Sequence, residues 1–245
     1  MASQGIEKIF GIHASRAVFK NPKRKIFSLT CTKDVYKTIN KKYLEKIKKI
    51  LVVDRKELDS LAGNKVHQGI FLECNSIQNF QINEIKENEK LILILDSLTD
   101  SQNVGSILRT AYLFGVKSII FNKDNSFKMS PFLIKSASGA YEKVKMIETL
   151  NINRTIEILK KKGFWVIGLD SRSKEETESL PENIKKVIIL GSEEKGIRKL
   201  VKKNCDYLIK IKTFVDDDDV IDSLNVSNAC AIILDKLMNS DERTS

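Results

Sequence analysis

The sequence predicts an α/β protein in two parts, the larger of them a doubly wound parallel sheet. Three observations predict it. The run Leu91-Ile-Leu-Ile-Leu95 is apolar throughout, as a strand covered on both faces of a parallel sheet must be. Behind it, Ile107, Leu108, Ala111, Tyr112 and Phe114 recur at helical spacing, followed by Gly115 as a helix stop and a second strand-like run over 116–121. The charge is also lopsided: of a net +10, the whole excess lies in residues 1–65, which hold 16 Lys or Arg against 6 Asp or Glu, while the remainder balances.

Taken in order, residues 12–20 carry a helix, 26–32 a strand, 34–49 a lysine-rich helix and 50–53 a strand; a short helix ends before Gly63, and 70–74 form a strand. Alternating elements of that length build a small α/β layer over residues 1–75. Residues 76–90, polar and rich in Asn, Gln and Glu, read as a linker. The second domain, 91–245, continues from its first strand, helix and strand into a helix over 153–162 stopped by Gly163, a strand at 164–169, a polar loop and a strand at 187–190. The loop 191–196, a helix to 204, a strand at 207–211 and a last helix over 223–238 complete it. A domain so assembled is expected to fold from residue 89 onward without the first part.

With 245 residues and 42% hydrophobic content the chain buries one large core or two modest ones. No apolar run approaches the ~20 residues of a membrane span, and the start, Met-Ala-Ser-Gln-Gly-Ile-Glu, has neither the basic nor the apolar region of a secretory signal. The expected setting is a soluble interior compartment, the cytoplasm or the matrix of an organelle such as a plastid. Cys31, Cys74, Cys205 and Cys230 stand singly, with only two histidines to join them, so reduced, packed thiols are expected, with no disulfide and no metal site. The cations of Asn21-Pro-Lys-Arg-Lys25 and Asn40-Lys-Lys-Tyr-Leu-Glu-Lys-Ile-Lys-Lys49 suit a polyanion such as RNA better than a merely solvated face, because the excess is confined to one segment.

Three stretches carry the chemistry: Asp100-Ser-Gln-Asn-Val-Gly-Ser-Ile-Leu-Arg-Thr-Ala-Tyr-Leu-Phe-Gly115, Leu190-Gly-Ser-Glu-Glu-Lys-Gly-Ile197 and Ser223-Leu-Asn-Val-Ser-Asn-Ala229. In order and spacing they resemble the three motifs of the SpoU (TrmH-like) family of RNA ribose 2'-O-methyltransferases. Ile9-Phe-Gly-Ile-His-Ala14 and Val66-His-Gln-Gly-Ile70 look like parts of the L30e-like RNA-binding domain that precedes the catalytic domain in the large-subunit rRNA members. Lys135-Ser-Ala-Ser-Gly-Ala-Tyr-Glu142 looks like a further family segment, so the resemblance spans nearly the whole chain. It implies a SPOUT α/β domain with a deep trefoil knot, S-adenosylmethionine as methyl donor, and a homodimer whose knots complete each other's sites. The implied substrate is a guanosine in the peptidyl-transferase region of large-subunit, 23S-type rRNA. A tRNA ribose methyltransferase and a catalytically silent RNA-binding assembly factor are the alternatives, although relatives acting on tRNA generally lack the N-terminal domain.

Moving a methyl group from a sulfonium to a ribose hydroxyl requires a dry pocket, an in-line approach of oxygen to carbon, and a destination for the hydroxyl proton. Because the donor is already activated, the protein mainly positions both partners and stabilises charge developing on the oxygen. The resemblance gives Asn103, Arg109, Glu193 and Asn225 catalytic or supporting roles, and sets Leu190, Gly191, Gly196, Ile211, Leu224 and Asn225 around the cofactor. A guanidinium stays charged at neutral pH, so Arg109 suits a phosphate or an alkoxide-like oxygen better than the work of a base. The proton acceptor stays open. Glu193 is expected to orient Arg109 or close its loop, Asn103 to hold the hydroxyl or cap its helix, and Ser223 and Ser227 to cap the last helix or serve the site. Gly196 either permits a tight turn or is an ordinary loop glycine. His13 and His67 can touch RNA, with a structural role the better expectation.

Two departures from the family pattern stand out. Ser101 stands where the family has a proline after its aspartate, which relaxes a turn without removing a functional group. The segment Lys212-Thr-Phe-Val-Asp-Asp-Asp-Asp-Val-Ile-Asp222 is longer than the usual Pro- and Gly-containing loop beside the cofactor. Its run Asp216 to Asp219 is expected to be a solvated loop; a mobile electrostatic gate against stray phosphates is the sharper alternative, and a magnesium site is disfavoured for want of further ligands.

Overall fold

The computed structural model describes residues 5–63, 65–77, 80–214 and 223–242. The chain divides into two compact units, Met1–Gln78 with Met129–Lys143, and Asn79–Lys128 with Val144–Ser245.

In the first unit, strands β1 (Ile6–Phe10), β2 (Ile26–Thr32), β3 (Lys49–Val53) and β4 (Ile70–Asn75) form a sheet in the order β1-β4-β2-β3. β4 runs antiparallel to both its neighbours, and β3 is parallel to β2. Helices α1 (Ile12–Lys20), α2 (Lys33–Thr38), α3 (Lys41–Leu44) and α4 (Arg55–Ala62) connect them. The sequence reading left β1 unassigned; it exists through tertiary pairing, with buried Ile9 opposite buried Leu72. The helix expected over 34–49 is broken, because Ile39 and Asn40 are extended and Asn40 starts a separate turn, its side chain accepting from Lys42 N at 3.1 Å.

The two motifs of this unit meet. Gly11 N donates to Ile70 O (3.1 Å) and Ile12 N to Gln68 Oε1 (3.2 Å). Gly11 has φ +94°, and a Cβ there would sit 2.9 Å from Gln68 Oε1, so both conformation and space favour glycine. His67 is buried and structural: Nδ1 accepts from Gly69 N at 3.1 Å, which leaves the Nε2 proton for Asp59 Oδ1 at 2.6 Å. His13 is exposed and has no side-chain partner among the described residues, so the structural expectation fails there.

In the second unit, β5 (Leu91–Asp96), β6 (Ser118–Asn122), β7 (Lys145–Thr149), β8 (Phe164–Leu169), β9 (Glu175–Glu176), β10 (Lys185–Gly191) and β11 (Tyr207–Lys210) build one sheet in the order β7-β6-β5-β10-β8-β11-β9. Every pairing in it is parallel. The helices of the rest of the chain are α5 (Ser101–Leu113), α6 (Pro131–Ser136), α7 (Ile152–Lys161), α8 (Lys199–Lys203) and α9 (Val226–Glu242). The chain steps outward from β5 to β6 and β7, crosses to β8, and then fills the gap between β5 and β8 with β10. That reversal sets the carboxyl ends of β5 and β10 side by side, the crevice where doubly wound sheets bind ligands. Ile92–Leu95 of β5 and Val187–Leu190 of β10 are buried, and α9 packs on α5.

Residues 80–90, expected to be a linker, are instead docked on the sheet. Phe80 N donates to Met146 O at 3.3 Å and Ile85 is buried. Glu89 is buried too, accepting from Ser118 Oγ (2.6 Å), Lys145 Nζ (2.7 Å) and Lys86 N (3.1 Å). Burial pushes this carboxyl upward, but the bonds from Lys145, Ser118 and Lys86 outweigh it and hold the group below its ordinary range.

Residues 129–143, expected within the second domain, pack in the first unit. α6 lies on β1, and a 3-10 turn, Ala140–Glu142, lies on α1. The reason is a buried ionic knot with apolar surroundings. Arg24 Nη1 meets Glu7 Oε2 and its Nη2 meets Glu142 Oε1, both at 2.7 Å, and Asn21 Nδ2 donates to Glu142 Oε2 at 2.7 Å. Burial opposes the charge on Arg24, yet the bond and charge of Glu142, with the nearby Glu7, together raise the guanidinium pKa. Gly139, φ +94°, admits the approach: a Cβ there would lie 2.8 Å from Ala17 Cβ.

Two outcomes follow from this packing. A chain starting at Glu89 uncovers buried Leu133, Ile134 and Tyr141 and strands Glu142 without Arg24, so it is expected to bind a hydrophobic dye and aggregate; a dye-silent, monodisperse truncation in light scattering would contradict this. For Glu89, a carboxyl held low in the fold stabilises above its unfolded pKa of ~4.3, and that stability is lost as pH falls through the folded value. Glu89→Gln should therefore lower Tm at neutral pH and flatten its fall on acidification below about pH 4, and a variant curve parallel to wild type would refute the assignment.

Candidate active site

The first motif is organised by Asp100, which caps α5: its Oδ1 accepts from Gln102 N (2.6 Å) and Asn103 N (2.8 Å). The cap is therefore not Asn103, whose side chain is left for other work. Asn103 Nδ2 donates to Glu193 Oε1 at 2.5 Å, and its Oδ1 accepts from Asn225 Nδ2 at 3.0 Å. Asn225 in turn caps α9, its Oδ1 accepting from Ser227 N (2.9 Å) and Ser227 Oγ (2.6 Å), so neither Ser223 nor Ser227 is the cap. One directed chain of donors runs from Ser227 through Asn225 and Asn103 to the Glu193 carboxylate. All three motifs are joined by it. Arg109 lies on the same helix as Asn103, exposed and without a hydrogen-bond or ion-pair partner among the described residues. Glu193 thus pairs with Asn103 and not with Arg109.

The second motif is a tight loop beyond β10. Ser192 and Gly196 form an isolated bridge, with Gly196 N donating to Ser192 O at 2.8 Å. A Cβ on Gly191 would lie 2.2 Å from both Gly196 C and Ile197 N, inside backbone that cannot move aside. Gly196 turns with φ +62°, in keeping with the first of the two roles left open for it, a tight turn. The loop ends on a contact that sequence reasoning missed. Asp96, fully buried at the end of β5, accepts from Arg198 N (2.9 Å) and Arg198 Nε (2.7 Å). With its amide oxygen turned toward the guanidinium, Asn122 at the end of β6 accepts from Arg198 Nη2 (2.8 Å) and Nη1 (3.2 Å). An aspartate closing the apolar run 91–95 was the available signal.

Residues 90–235 match the SpoU rRNA Methylase family, and residues 8–80 match the domain described as RNA 2'-O ribose methyltransferase substrate binding. The chain belongs to the SpoU rRNA methylase family. A curated relative, the 23S rRNA (guanosine-2'-O-)-methyltransferase RlmB of Coxiella burnetii, is 33% identical over 247 aligned positions, covering 97% of each chain. Among solved structures, the SpoU methyltransferase AviRb from Streptomyces viridochromogenes matches with TM-score 0.81 at 15% identity, over 98% of this chain and 91% of that one. An AdoMet-bound rRNA methyltransferase from Sinorhizobium meliloti matches with TM-score 0.78 at 18% identity, over 96% and 87%. These structural likenesses carry the fold.

The residues expected at the cofactor lie at or beyond the carboxyl ends of β10 and β11 and just before α9. Leu190 and Gly191 end β10, Gly196 belongs to its loop, Ile211 follows β11, and Leu224 and Asn225 precede α9. Ile211, just after β11, is half-buried and Leu224, just before α9, is 39% exposed, so both leave apolar surface uncovered, as contact with an apolar part of a ligand requires. Among the described residues no cluster of His, Cys, Asp or Glu is placed to hold a metal ion. The Asp216 to Asp219 run lies outside the described residues. The four cysteines are free, and burial pushes their thiols up, to about 11 for Cys31 and about 12 for Cys74, Cys205 and Cys230, so they stay protonated at neutral pH.

Gly191→Ala is expected to force the loop 192–197 off β10, lowering stability by ~1–3 kcal/mol and weakening S-adenosylmethionine binding at least ten-fold in calorimetry. Wild-type Tm and affinity in this variant would show that the close approach is dispensable.

Proposed function

We propose that this protein transfers the methyl group of S-adenosylmethionine to the ribose 2'-hydroxyl of a guanosine in 23S-type rRNA. The observation that carries the reading is the bonded chain through Asn225, Asn103 and Glu193, which links one residue from each SpoU motif beside a helix that presents Arg109. Bound S-adenosylmethionine supplies a methyl on a positively charged sulfur, already activated for attack. The chain's own residues do the rest. Asn103 and Asn225 have both amide faces committed, which fixes the carboxylate of Glu193 and the start of α9 relative to α5. Arg109 stays charged, so it stabilises the oxygen as the hydroxyl proton passes to solvent, and it holds a neighbouring phosphate in place. Leu190, Gly191, Gly196, Ile211 and Leu224 line the cofactor side.

Residues 8–80 grip the RNA as an L30e-like domain, in keeping with their match and their charge. The return of α9 from the β11 side to α5, past a loop pinned at Arg198, supports a threaded, knotted C-terminal segment. Tyr112 and Leu113 on α5 and Ile232 on α9 are exposed apolar side chains, which supports a homodimer covering these helices. Among the described residues no helix is long and apolar enough to cross a membrane. A ribosomal substrate supports the cytoplasm, or the matrix of an organelle with its own ribosomes, as the setting.

The test is methyl transfer to rRNA from cells lacking this protein, with the modified ribose then mapped. Transfer to a large-subunit guanosine is expected; transfer to tRNA alone, or to nothing, overturns the reading. Arg109→Ala should lower the rate ~100-fold or more while leaving S-adenosylmethionine affinity within a few-fold, and equal loss of both would refute its role at the oxygen.

A further inference from the structure

The break between α2 and α3 has a second consequence. Because residues 41–44 form their own turn, Tyr43 comes to rest against Phe19 of α1, ring centroids 5.5 Å apart and planes 14° from parallel. Around this pair open two adjoining clefts of 340 and 380 Å³, both lined by Phe19, Pro22, Tyr43 and Lys46. Lys20 and Lys42 complete the first, and Lys25 and Lys48 stand at the second. No acidic residue lines either one. None of these five lysines has an ion-pair partner among the described residues, although Lys42 Nζ rests 5.0 Å from the centroid of the Tyr43 ring.

The cleft is preformed. Its floor includes buried Val18 and Ile47, and the turn 21–25 that forms one wall is locked by the bonds of Asn21 and Arg24 to Glu142. Cations that serve only to balance a surface are interleaved with acids and sit on solvated ground. Here they rim an aromatic wall, the combination that single-stranded nucleic acid meets in sites which stack a base and hold its backbone. A small anion alone has no use for the rings, and an acidic peptide has no use for a stacking face.

We propose that the cleft between α1 and α3 seats an unpaired nucleotide of the RNA substrate, its base against Phe19 and Tyr43 and its adjoining phosphates on Lys20, Lys42 and Lys46. The seat rests on the reading of this protein as an RNA methyltransferase and adds a place where RNA is gripped without regard to sequence, since every base offers a π-face. Lys42 covers Tyr43 only by a weak cation–π contact, which an entering base displaces while the ammonium moves to a phosphate.

The test compares the full-length protein with Tyr43→Leu, Tyr43→Phe and a Lys42→Gln/Lys46→Gln double variant. The probes are a single-stranded RNA of about ten nucleotides and the same backbone without bases. Tyr43→Leu should weaken binding of the RNA by about five-fold or more while changing the abasic probe less than about two-fold, and Tyr43→Phe should bind as wild type. The double variant should lose affinity for both probes and reduce the logarithmic salt slope by about 1.4, at about 0.7 per phosphate. Unchanged binding of both probes by Tyr43→Leu, or equal loss on both, overturns the seat, with S-adenosylmethionine affinity and Tm showing that each variant is folded. Methyl transfer to rRNA by the wild type is read alongside. Transfer with no Tyr43 dependence removes the seat and leaves the proposed function; Tyr43-dependent binding without transfer removes the function and leaves the seat.

Discussion

Asp96 is the fixed point on which the site depends. Its carboxylate closes a buried interior strand of the sheet and has no exposure, so unpaired it would bear the full penalty of an ion stripped of water. Arg198 answers it twice, through its backbone N–H and through Nε. Removing one member of a buried pair generally costs ~3–5 kcal/mol, and the lower end applies here because the Arg198 side chain is 44% exposed. The contribution to geometry is larger than the contribution to stability. β10 sets where the loop after Gly191 begins and Asp96 sets where it ends, which leaves Glu193 little freedom of position before Asn103 binds it.

The chain of amides that follows is directional. Asn225 uses its oxygen toward Ser227 and its nitrogen toward Asn103; Asn103 uses its oxygen toward Asn225 and its nitrogen toward Glu193. Flipping either amide sets like against like on both sides, so the orientation is fixed by the carboxylate at one end and the helix cap at the other. Each bond is worth only ~0.5–1.5 kcal/mol net, somewhat more at the charged end, and water competes for exposed Glu193 and Asn225. Such a network orients; it does not stabilise much. The same reasoning applies to Arg109, whose charge is screened while it faces solvent and gains strength only as bound partners exclude water.

Much of this was legible in the sequence. Fully apolar runs announced β5 and β10, and the 3.6-residue period announced α5 and α7, because each buries a face that no other pattern would satisfy. β1 was missed because Ile6-Glu-Lys-Ile-Phe10 shows no strand alternation and is held by pairing with β4, and β7 because Lys145–Thr149 is an edge strand with only two buried residues. The single helix expected over 34–49 failed at Ile39 and Asn40, where an asparagine preferred to cap. The excursion 129–143 was invisible for a different reason: the attraction of Glu142 for Arg24 spans 118 residues, and no local pattern encodes it. At the site, the motif residues Asn103, Glu193 and Asn225 were found, but which asparagine caps and which one bridges was decided by Asp100, a better acceptor placed one turn earlier.

The distribution of charge then separates capture from chemistry. The excess of +10 belongs to residues 1–65, and the remaining chain, motifs included, is neutral. Long-range attraction for RNA therefore falls to the first segment, and it weakens steeply with salt because it works by releasing counterions. The contacts that distinguish one oxygen from another are short, directional and in part sheltered, and salt touches them little. A basic methylase half would hold any phosphate near its donor and invite transfer to the wrong ribose. Under the proposed function, neutrality there lets arrangement decide: the Asp96–Arg198 pair and the amide chain hold the site's geometry, while the lysines supply the salt-dependent attraction for RNA.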